Sequence, residues 1–235
     1  MASRPRRSAI RRVFGWLLKG LLIFLAGSLL WVLLYRFVNP PITFTQLGDL
    51  IGGKGARRQW LAIERIDRDM VRAAIAGEDS KFCTHSGFDR QAIEAAMRRN
   101  AAGGRTLRGG STISQQTAKN AFLWQSGGYV RKGLEAWFTL LIENLWSKRR
   151  IMEVYLNVAE TGIGTYGVNA GAERYFGHGA AMLSPQEAAR IAAVFPLPKR
   201  RAAIAPRGFT RRYGNMIVAR MSAVRREGLD TCVYR

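Results

Sequence analysis

The chain has 235 residues, 48% of them hydrophobic, and its 37 lysines and arginines outnumber 16 aspartates and glutamates to give a net charge of +21. This length accommodates a membrane segment and one soluble domain, since typical domains have about 100–200 residues. The positive charge favours an anionic partner, which is nucleic acid, an anionic membrane surface or a phosphorylated substrate, and does not by itself choose among them.

The first predicted element is an apolar segment near the N-terminus. An uncharged run, GLLIFLAGSLLWVLLY, extends to Trp16 and Val38 if Lys19 and Arg36 snorkel at its edges. Residues 16–38 are therefore predicted to form a single transmembrane helix. A cleaved signal peptide is the alternative, but the run exceeds the usual apolar region of about 7–15 residues and no small-x-small cleavage site follows it.

The charges that flank this segment predict its orientation. Residues 1–15 form a basic tail that we expect to remain in the cytoplasm. Its positive charges are Arg4, Arg6, Arg7, Arg11 and Arg12. We expect the rest of the chain to lie outside the cytoplasm, behind this single membrane pass. This topology argues against nucleic acid as a partner.

The remaining elements are predicted to be helical. Residues 39–62 form a linker and membrane-proximal segment, 63–228 a helical domain with glycine loops, and 229–235 a C-terminal tail. No run predicts a strand. The predicted helices are Arg68–Ala76, Asp89–Ala102, Thr112–Leu123, Tyr129–Ser147, Lys148–Asn157, Val168–Phe176, Pro185–Phe195 and Thr210–Glu227. Ser184 and Glu187 predict a capping box around Pro185.

The two cysteines, Cys83 and Cys232, match no C-x-x-C metal spacing. Because the sequence does not determine the distance between them, we favour two unpaired cysteines. A disulfide in an oxidising compartment is the alternative.

Four polar motifs occur in the helical region. They are EDSKFCTHSG, GGSTISQQTAK, RKGLE and IMEVYLN. Taken singly, each has an ordinary interpretation: a solvated loop, a polar helix start, a surface ion pair between Arg131 and Glu135 at i,i+4, and a tightly packed helix.

In this order and spacing, the motifs resemble those of the peptidoglycan glycosyltransferases, which polymerise lipid II into glycan strands. The resemblance covers about residues 70–200 and is strongest to the stand-alone branch, because no Ser-x-x-Lys motif or transpeptidase domain accompanies it. It implies a mainly α-helical, lysozyme-like glycosyltransferase domain behind the single transmembrane helix, with a smaller membrane-proximal lobe.

The resemblance also implies a reaction. The 4-hydroxyl of the acceptor sugar attacks the anomeric carbon of the growing chain, with inversion and release of undecaprenyl diphosphate. Glu78 matches the catalytic glutamate that acts as general base. Lys119 and Arg131 match cations that bind the pyrophosphate.

Glu135 matches the family's second catalytic glutamate. It either orients Arg131 or holds a divalent metal, Mg or Mn, and no organic cofactor is expected. Neutral side chains of the second motif suit sugar and phosphate oxygens, and Gly109 and Gly110 permit close backbone approach. These substrate-binding candidates are Ser111, Thr112, Gln115 and Gln116.

The expected partners are lipid II, the growing glycan strand and the bilayer, with division proteins or bifunctional cell-wall synthases as further candidates. Trp137, Phe138 and the Phe122–Trp124 run are candidates for contact with the membrane interface, with core packing as the alternative. Two other functions stay open. A lysozyme-like or lytic enzyme would cleave peptidoglycan and need no pyrophosphate site, and a basic membrane scaffold would tolerate alanine in the motifs.

Overall fold

The computed structural model describes residues 6–103 and 110–234, with side chains from residue 11 onwards. Gly109 and Arg4, which the predictions include, lie outside these residues, and the side chains of Arg6 and Arg7 are outside the described part as well. The described chain is mainly α-helical, as predicted. Its helices are α1 Arg6–Phe37, α2 Phe44–Ile51, α3 Arg68–Glu78, α4 Arg90–Ala101, α5 Ile113–Phe122, α6 Gly128–Leu145, α7 Lys148–Val158, α8 Val168–Phe176, α9 Pro185–Val194, α10 Gly208–Arg226 and α11 Thr231–Tyr234.

Helix α1 belongs to the first of two compact units, Met1–Asn39, and the other helices belong to the second, Pro40–Arg235. Within α1, the stretch Arg11–Phe37 has 27 residues and contains an 18-residue segment with a mean hydropathy of 2.3. At 1.5 Å per residue it is about 40 Å long, which exceeds the roughly 30 Å of a bilayer's hydrocarbon core. By length and composition, α1 is therefore able to anchor the chain in a membrane.

The core of the second unit comprises two groups of helices. Helix α3 packs against α9 and α10, while α5 packs against α6 and α7. Fully buried side chains such as Met70 of α3, Ile151 of α7 and Ile191 of α9 fill these contacts. Each such side chain contributes about 1.5–3 kcal/mol of hydrophobic free energy. The predicted capping box at Ser184 and Glu187 is confirmed at the start of α9.

Three short strands also form, so the prediction of no strand was wrong. They are β1 Arg57–Arg58, β2 Glu160–Gly162 and β3 Thr165–Tyr166. Strand β3 lies in the middle, parallel to β1 and antiparallel to β2. Strands of two or three residues are too short to show an alternating pattern. The β2–β3 turn needs Gly164, which has a φ of +63° and would place a Cβ 2.2 Å from the Lys54 carbonyl oxygen.

The side chain of Asn157 joins α7 to the segment that precedes α3. Its Oδ1 accepts a hydrogen bond of 2.8 Å from the Leu61 amide, and its Nδ2 donates one of 2.9 Å to the Leu61 carbonyl. Because Asn157 is fully buried, these two bonds satisfy backbone groups that water does not reach. Asn157, the last residue of the IMEVYLN motif, thus holds the backbone at Leu61 in place.

The favoured expectation of two unpaired cysteines was wrong. Cys83, in the loop between α3 and α4, forms a disulfide with Cys232 of α11, with a Cα–Cα distance of 5.5 Å. The two cysteines are 149 residues apart, so only tertiary packing brings them together. The disulfide connects the loop that follows Glu78 to the C-terminal helix.

Reducing this disulfide is expected to destabilise the protein. Loss of a native disulfide typically costs about 2–5 kcal/mol, which corresponds to a fall in Tm of about 5–15 °C in a domain of this size. Thermal unfolding with and without dithiothreitol measures the effect. The double variant Cys83→Ser/Cys232→Ser is the control, since it should show the lower Tm and no response to reductant. A wild-type Tm that does not change on reduction would contradict the prediction.

Candidate active site

A cleft of about 340 Å³ lies between α5, α7, β2 and the segment that follows α9. Polar and charged side chains supply much of its lining, with an apolar segment at Phe195–Pro198. The lining residues are Gln116, Lys119, Asn120, Gln125, Tyr155, Ala159, Glu160, Phe195, Pro196, Leu197, Pro198, Lys199 and Arg200. Of the predicted site residues, Gln116 and Lys119 lie in this lining. Their positions one helical turn apart on α5 place both on one face.

Glu78 is the last residue of α3 and lies next to the cleft residue Gln116. Its Oε2 accepts a hydrogen bond of 2.8 Å from Gln116 Nε2, while its Oε1 is buried and has no hydrogen-bond partner among the described residues. Burial raises the pKa of the Glu78 carboxyl, and the Gln116 hydrogen bond and the charge of Arg201 oppose that rise. The carboxylate is therefore more basic than an ordinary glutamate.

Asp79 and His85 brace the loop that follows Glu78. His85 Nε2 lies 3.0 and 2.9 Å from the two oxygens of Asp79, and the Gly87 amide donates to His85 Nδ1 at 3.1 Å. Because Nδ1 accepts, Nε2 carries the proton and donates to Asp79. Asp79 Oδ2 also accepts a bond of 2.9 Å from the Ile113 amide at the start of α5. These contacts fix Glu78 relative to the helix that carries Gln116.

The structure places Thr112 and Gln115 in the cap of α5 and not in the cleft lining. The Thr112 hydroxyl accepts a bond of 3.1 Å from the Gln115 amide and donates one of 2.7 Å to the Gly87 carbonyl. Gln115 Oε1 accepts a bond of 3.0 Å from the Thr112 amide, which completes a capping box. Ser111 precedes the cap, and its Oγ accepts a bond of 3.4 Å from Lys132. Gly110 permits close approach to Ala92, where an added Cβ would lie 3.2 Å from the carbonyl oxygen.

Glu135 and Arg131 form a buried ion pair, so the surface pair expected from the RKGLE motif alone was wrong. Arg131 donates to Glu135 Oε2 at 2.8 Å, and Lys132 contacts Oε1. Only 2% of Glu135 is exposed. One carboxylate thus holds two neighbouring cations in place.

Lys119 is a cation that the fold does not neutralise by direct contact. Among the described residues, its amino group has no hydrogen bond or ion pair. Burial lowers the pKa of Lys119, an effect that Glu135 opposes and that the positive charges of Arg131 and Lys132 reinforce. An anion bound in the cleft would offset both burial and repulsion.

The residues around Glu135 do not fit a divalent metal. Mg²⁺ and Mn²⁺ require carboxylate or carbonyl oxygens that are available for coordination, whereas both oxygens of Glu135 are already bound by Arg131 and Lys132. Across residues 6–103 and 110–234, no group of three or more His, Cys, Asp or Glu side chains is arranged to hold a metal ion.

Several residues near the site were not singled out from the sequence. Tyr155 is fully buried and lies 3.5 Å from Gln116 Oε1. The guanidinium of Arg201 lies 4.9 Å from the Phe209 ring centroid, and the Tyr213 hydroxyl donates to the Gly77 carbonyl at 2.7 Å. The sequence feature that could have indicated Arg201 is the basic run PLPKRR after α9. That run has no periodicity, so only the fold shows that it reaches the cleft.

Most of the apolar residues considered for the membrane interface belong to the core. Phe122, Leu123 and Phe138 are at most 4% exposed, and the rings of Phe122 and Phe138 stack with centroids 4.7 Å apart. For these three residues, the alternative of core packing is confirmed. Trp137 is half-buried, and 42% of Trp124 is exposed.

Comparisons with known proteins agree with this arrangement. A model of the Transglycosylase family matches residues 45–222. The biosynthetic peptidoglycan transglycosylase of Caulobacter vibrioides is 48% identical over 225 residues, which cover 95% of this chain and 98% of that protein. The protein of the same description from Rhodospirillum centenum is 50% identical over 92% of this chain and 96% of its own length. The protein of that description from Xanthomonas axonopodis pv. citri is 48% identical over 92% of this chain and 89% of its own length.

The mainly helical domain and its cleft define a glycosyltransferase with a lysozyme-like helical fold. The match covers most of the chain, and the chain belongs to the transglycosylase family.

Proposed function

We propose that this protein elongates glycan chains from lipid II by inverting glycosyl transfer and releases undecaprenyl diphosphate. The family membership makes it a peptidoglycan glycosyltransferase of cell-wall synthesis and not a lytic enzyme. The observation that carries the detailed proposal is the pairing of a buried, basic Glu78 with the unpaired cation Lys119 beside one cleft.

Glu78 is the proposed general base. A sugar hydroxyl is a weak nucleophile at neutral pH, and removal of its proton as it attacks the anomeric carbon increases its reactivity. Burial makes Glu78 more basic, and its Oε1 has no hydrogen bond to lose when it accepts that proton. Gln116, which binds Oε2 and lines the cleft, positions the carboxylate towards the bound sugar.

Lys119 and Arg131 are proposed to bind the departing pyrophosphate. A diphosphate is a good leaving group that needs charge stabilisation more than protonation. The amino group of Lys119 is uncommitted within the described structure, and Arg131 has donors beyond the Nη1 that contacts Glu135. Ser111 and Gln116 supply neutral contacts, while Thr112 and Gln115 act by holding the start of α5.

Glu135 is proposed to position Arg131 and Lys132. We expect Glu135→Gln to reduce turnover about 10–100-fold, because losing the carboxylate leaves two adjacent cations without their anchor. Rates of lipid II polymerisation across a range of Mg²⁺ concentrations, with circular dichroism to verify folding, measure this. Wild type and variant should share one Mg²⁺ dependence. A dependence shifted to higher Mg²⁺ in the variant would instead make Glu135 a metal ligand.

We further propose that the protein is a single-pass protein of the bacterial inner membrane with a cytoplasmic N-terminus and a periplasmic catalytic domain. The apolar segment of α1 and the arginines on its N-terminal side support this orientation. Lipid II and the growing strand carry polyprenyl tails, so anchored enzyme and substrate would meet within one membrane. Division proteins and bifunctional synthases are proposed partners at that membrane.

Incubation of the detergent-purified full chain with fluorescent lipid II tests the proposed function. We expect a polymer that muramidase digests to disaccharide units. The same protein should not shorten glycan strands supplied in place of lipid II. Shortening of supplied strands without polymer formation would overturn the proposal in favour of the lytic alternative, and neither activity would favour a scaffold.

A further inference from the structure

The lining of the cleft includes a carboxylate that the proposed reaction does not use. Glu160, the first residue of β2, lines the cleft with Gln116 and Lys119. Its side chain is 10% exposed, and its Oε1 is buried without a hydrogen-bond partner in the described part of the chain. Lys199 Nζ lies 3.8 Å from Oε1, too far for a hydrogen bond. A buried acceptor without a donor is costly, so a donor from a bound ligand would stabilise it.

The charges around Glu160 come from three parts of the fold. Lys199, in the segment after α9, also lies 3.4 Å from Oδ1 of Asp49 at the end of α2. Lys54 lies 3.5 Å from the same oxygen, and Tyr166 of β3 donates to Asp49 Oδ2 at 2.7 Å. Burial raises the pKa of Glu160 to about 7, with the charge of Asp49 adding to the rise and Lys199 and Lys54 opposing it. Glu160 therefore changes charge near neutral pH.

Glu160 is the one carboxylate among the described residues that line the cleft, whereas Lys119, Lys199 and Arg200 are cations. Lys119 attracts a pyrophosphate, whereas the carboxylate of Glu160 would repel one. A carboxylate accepts hydrogen bonds from hydroxyl and amide N–H groups, which a saccharide with acetamido substituents carries. The volume of about 340 Å³ is within the range of small-molecule sites. The Glu160 carboxylate thus suits a hydroxyl or amide group of the sugar part of a substrate and not its phosphates.

We propose that Glu160 is a further substrate-binding residue, which accepts a hydrogen bond from a hydroxyl or acetamido N–H group of the saccharide bound in the cleft. This inference rests on the proposed function and adds a contact to the same site. Glu160 supplies affinity and orientation for the sugar, while Glu78 supplies the base.

Equilibrium binding of fluorescent lipid II in detergent tests the assignment. The parent is the full chain with Glu78→Gln, which removes both turnover and the titration of residue 78. At pH 8, adding Glu160→Met to this parent should weaken lipid II binding about tenfold, because methionine lacks an acceptor oxygen. Adding Glu160→Gln should weaken binding about threefold, because glutamine keeps a neutral acceptor. Lowering the pH from 8 to 6 protonates Glu160 and should weaken binding by the parent about threefold. Glu160→Gln should lack this loss, while any added protonation of Lys119 acts in the opposite direction.

Controls separate this contact from a structural role. The exposed Glu64, changed to Gln in the same parent, removes one negative charge outside the cleft and should leave affinity unchanged. Unchanged affinity in both Glu160 variants would overturn the proposal. The proposal would also be overturned if Glu160→Gln weakens binding but keeps the pH dependence of the parent. Glu160 would then act only by holding Lys199 in place. If the parent does not bind lipid II at all, the proposed function fails and this inference fails with it.

Discussion

Glu78→Gln is expected to abolish polymer formation from lipid II, with turnover reduced by about 10²–10⁴-fold. The amide has the shape of the carboxylate and still contacts Gln116, but it does not accept the proton of the attacking hydroxyl. Single-turnover polymerisation with wild type and variant measures the loss. Glu227→Gln, at the exposed end of α10, is the matched control and should retain full activity. Near-normal turnover of Glu78→Gln would contradict the assignment of the base.

The same variant provides a test of folding with a defined sign. The pKa of Glu78 is raised in the folded state, so the folded protein holds the proton more tightly than the unfolded chain does. Its contribution to stability is therefore lost as the pH rises from the ordinary glutamate range through the raised pKa. Glu78→Gln does not lose stability in this way. The Tm of the variant minus that of wild type should therefore increase as the pH rises through this range. A variant that is inactive because it does not fold would show no cooperative unfolding transition at any pH.

Lys119→Ala is expected to lower turnover about 10²–10³-fold, because one cation that stabilises the developing pyrophosphate charge is removed. Steady-state rates with lipid II, together with a Tm, measure the effect. Arg190→Ala on the exposed face of α9 is the control for loss of a positive charge, and it should retain activity. A folded Lys119→Ala protein with near-normal rates would exclude Lys119 from pyrophosphate binding.

The pH profile links these two residues. Activity should rise with pH as Glu78 loses its proton, and it should fall at higher pH as Lys119, whose pKa is lowered by burial, loses its charge. Lys119→Arg keeps the charge at all accessible pH values, because the guanidinium remains protonated. The falling limb should therefore be absent in Lys119→Arg. Its persistence would assign the alkaline loss to another group.

Local sequence was sufficient for much of the fold. The apolar run of α1, the capping box at Ser184, and the helical spacing of Arg131 and Glu135 all depend on residues within one or two turns of each other, where helix geometry determines which side chains meet. The order of four motifs was likewise sufficient to indicate the family. These features are properties of neighbouring residues, so a single sequence reveals them.

The sequence by itself thus determined the helical class, the apolar anchor helix and the motifs that include Glu78. Tertiary structure alone decided that Cys83 meets Cys232, that Glu135 is buried beneath two cations, and that Glu160 shares a cleft with residues of α5. The physical reason is separation along the chain. The distances, burial and desolvation at these positions arise from the packing of segments that are far apart in sequence. A pattern of neighbouring residues does not predict that packing.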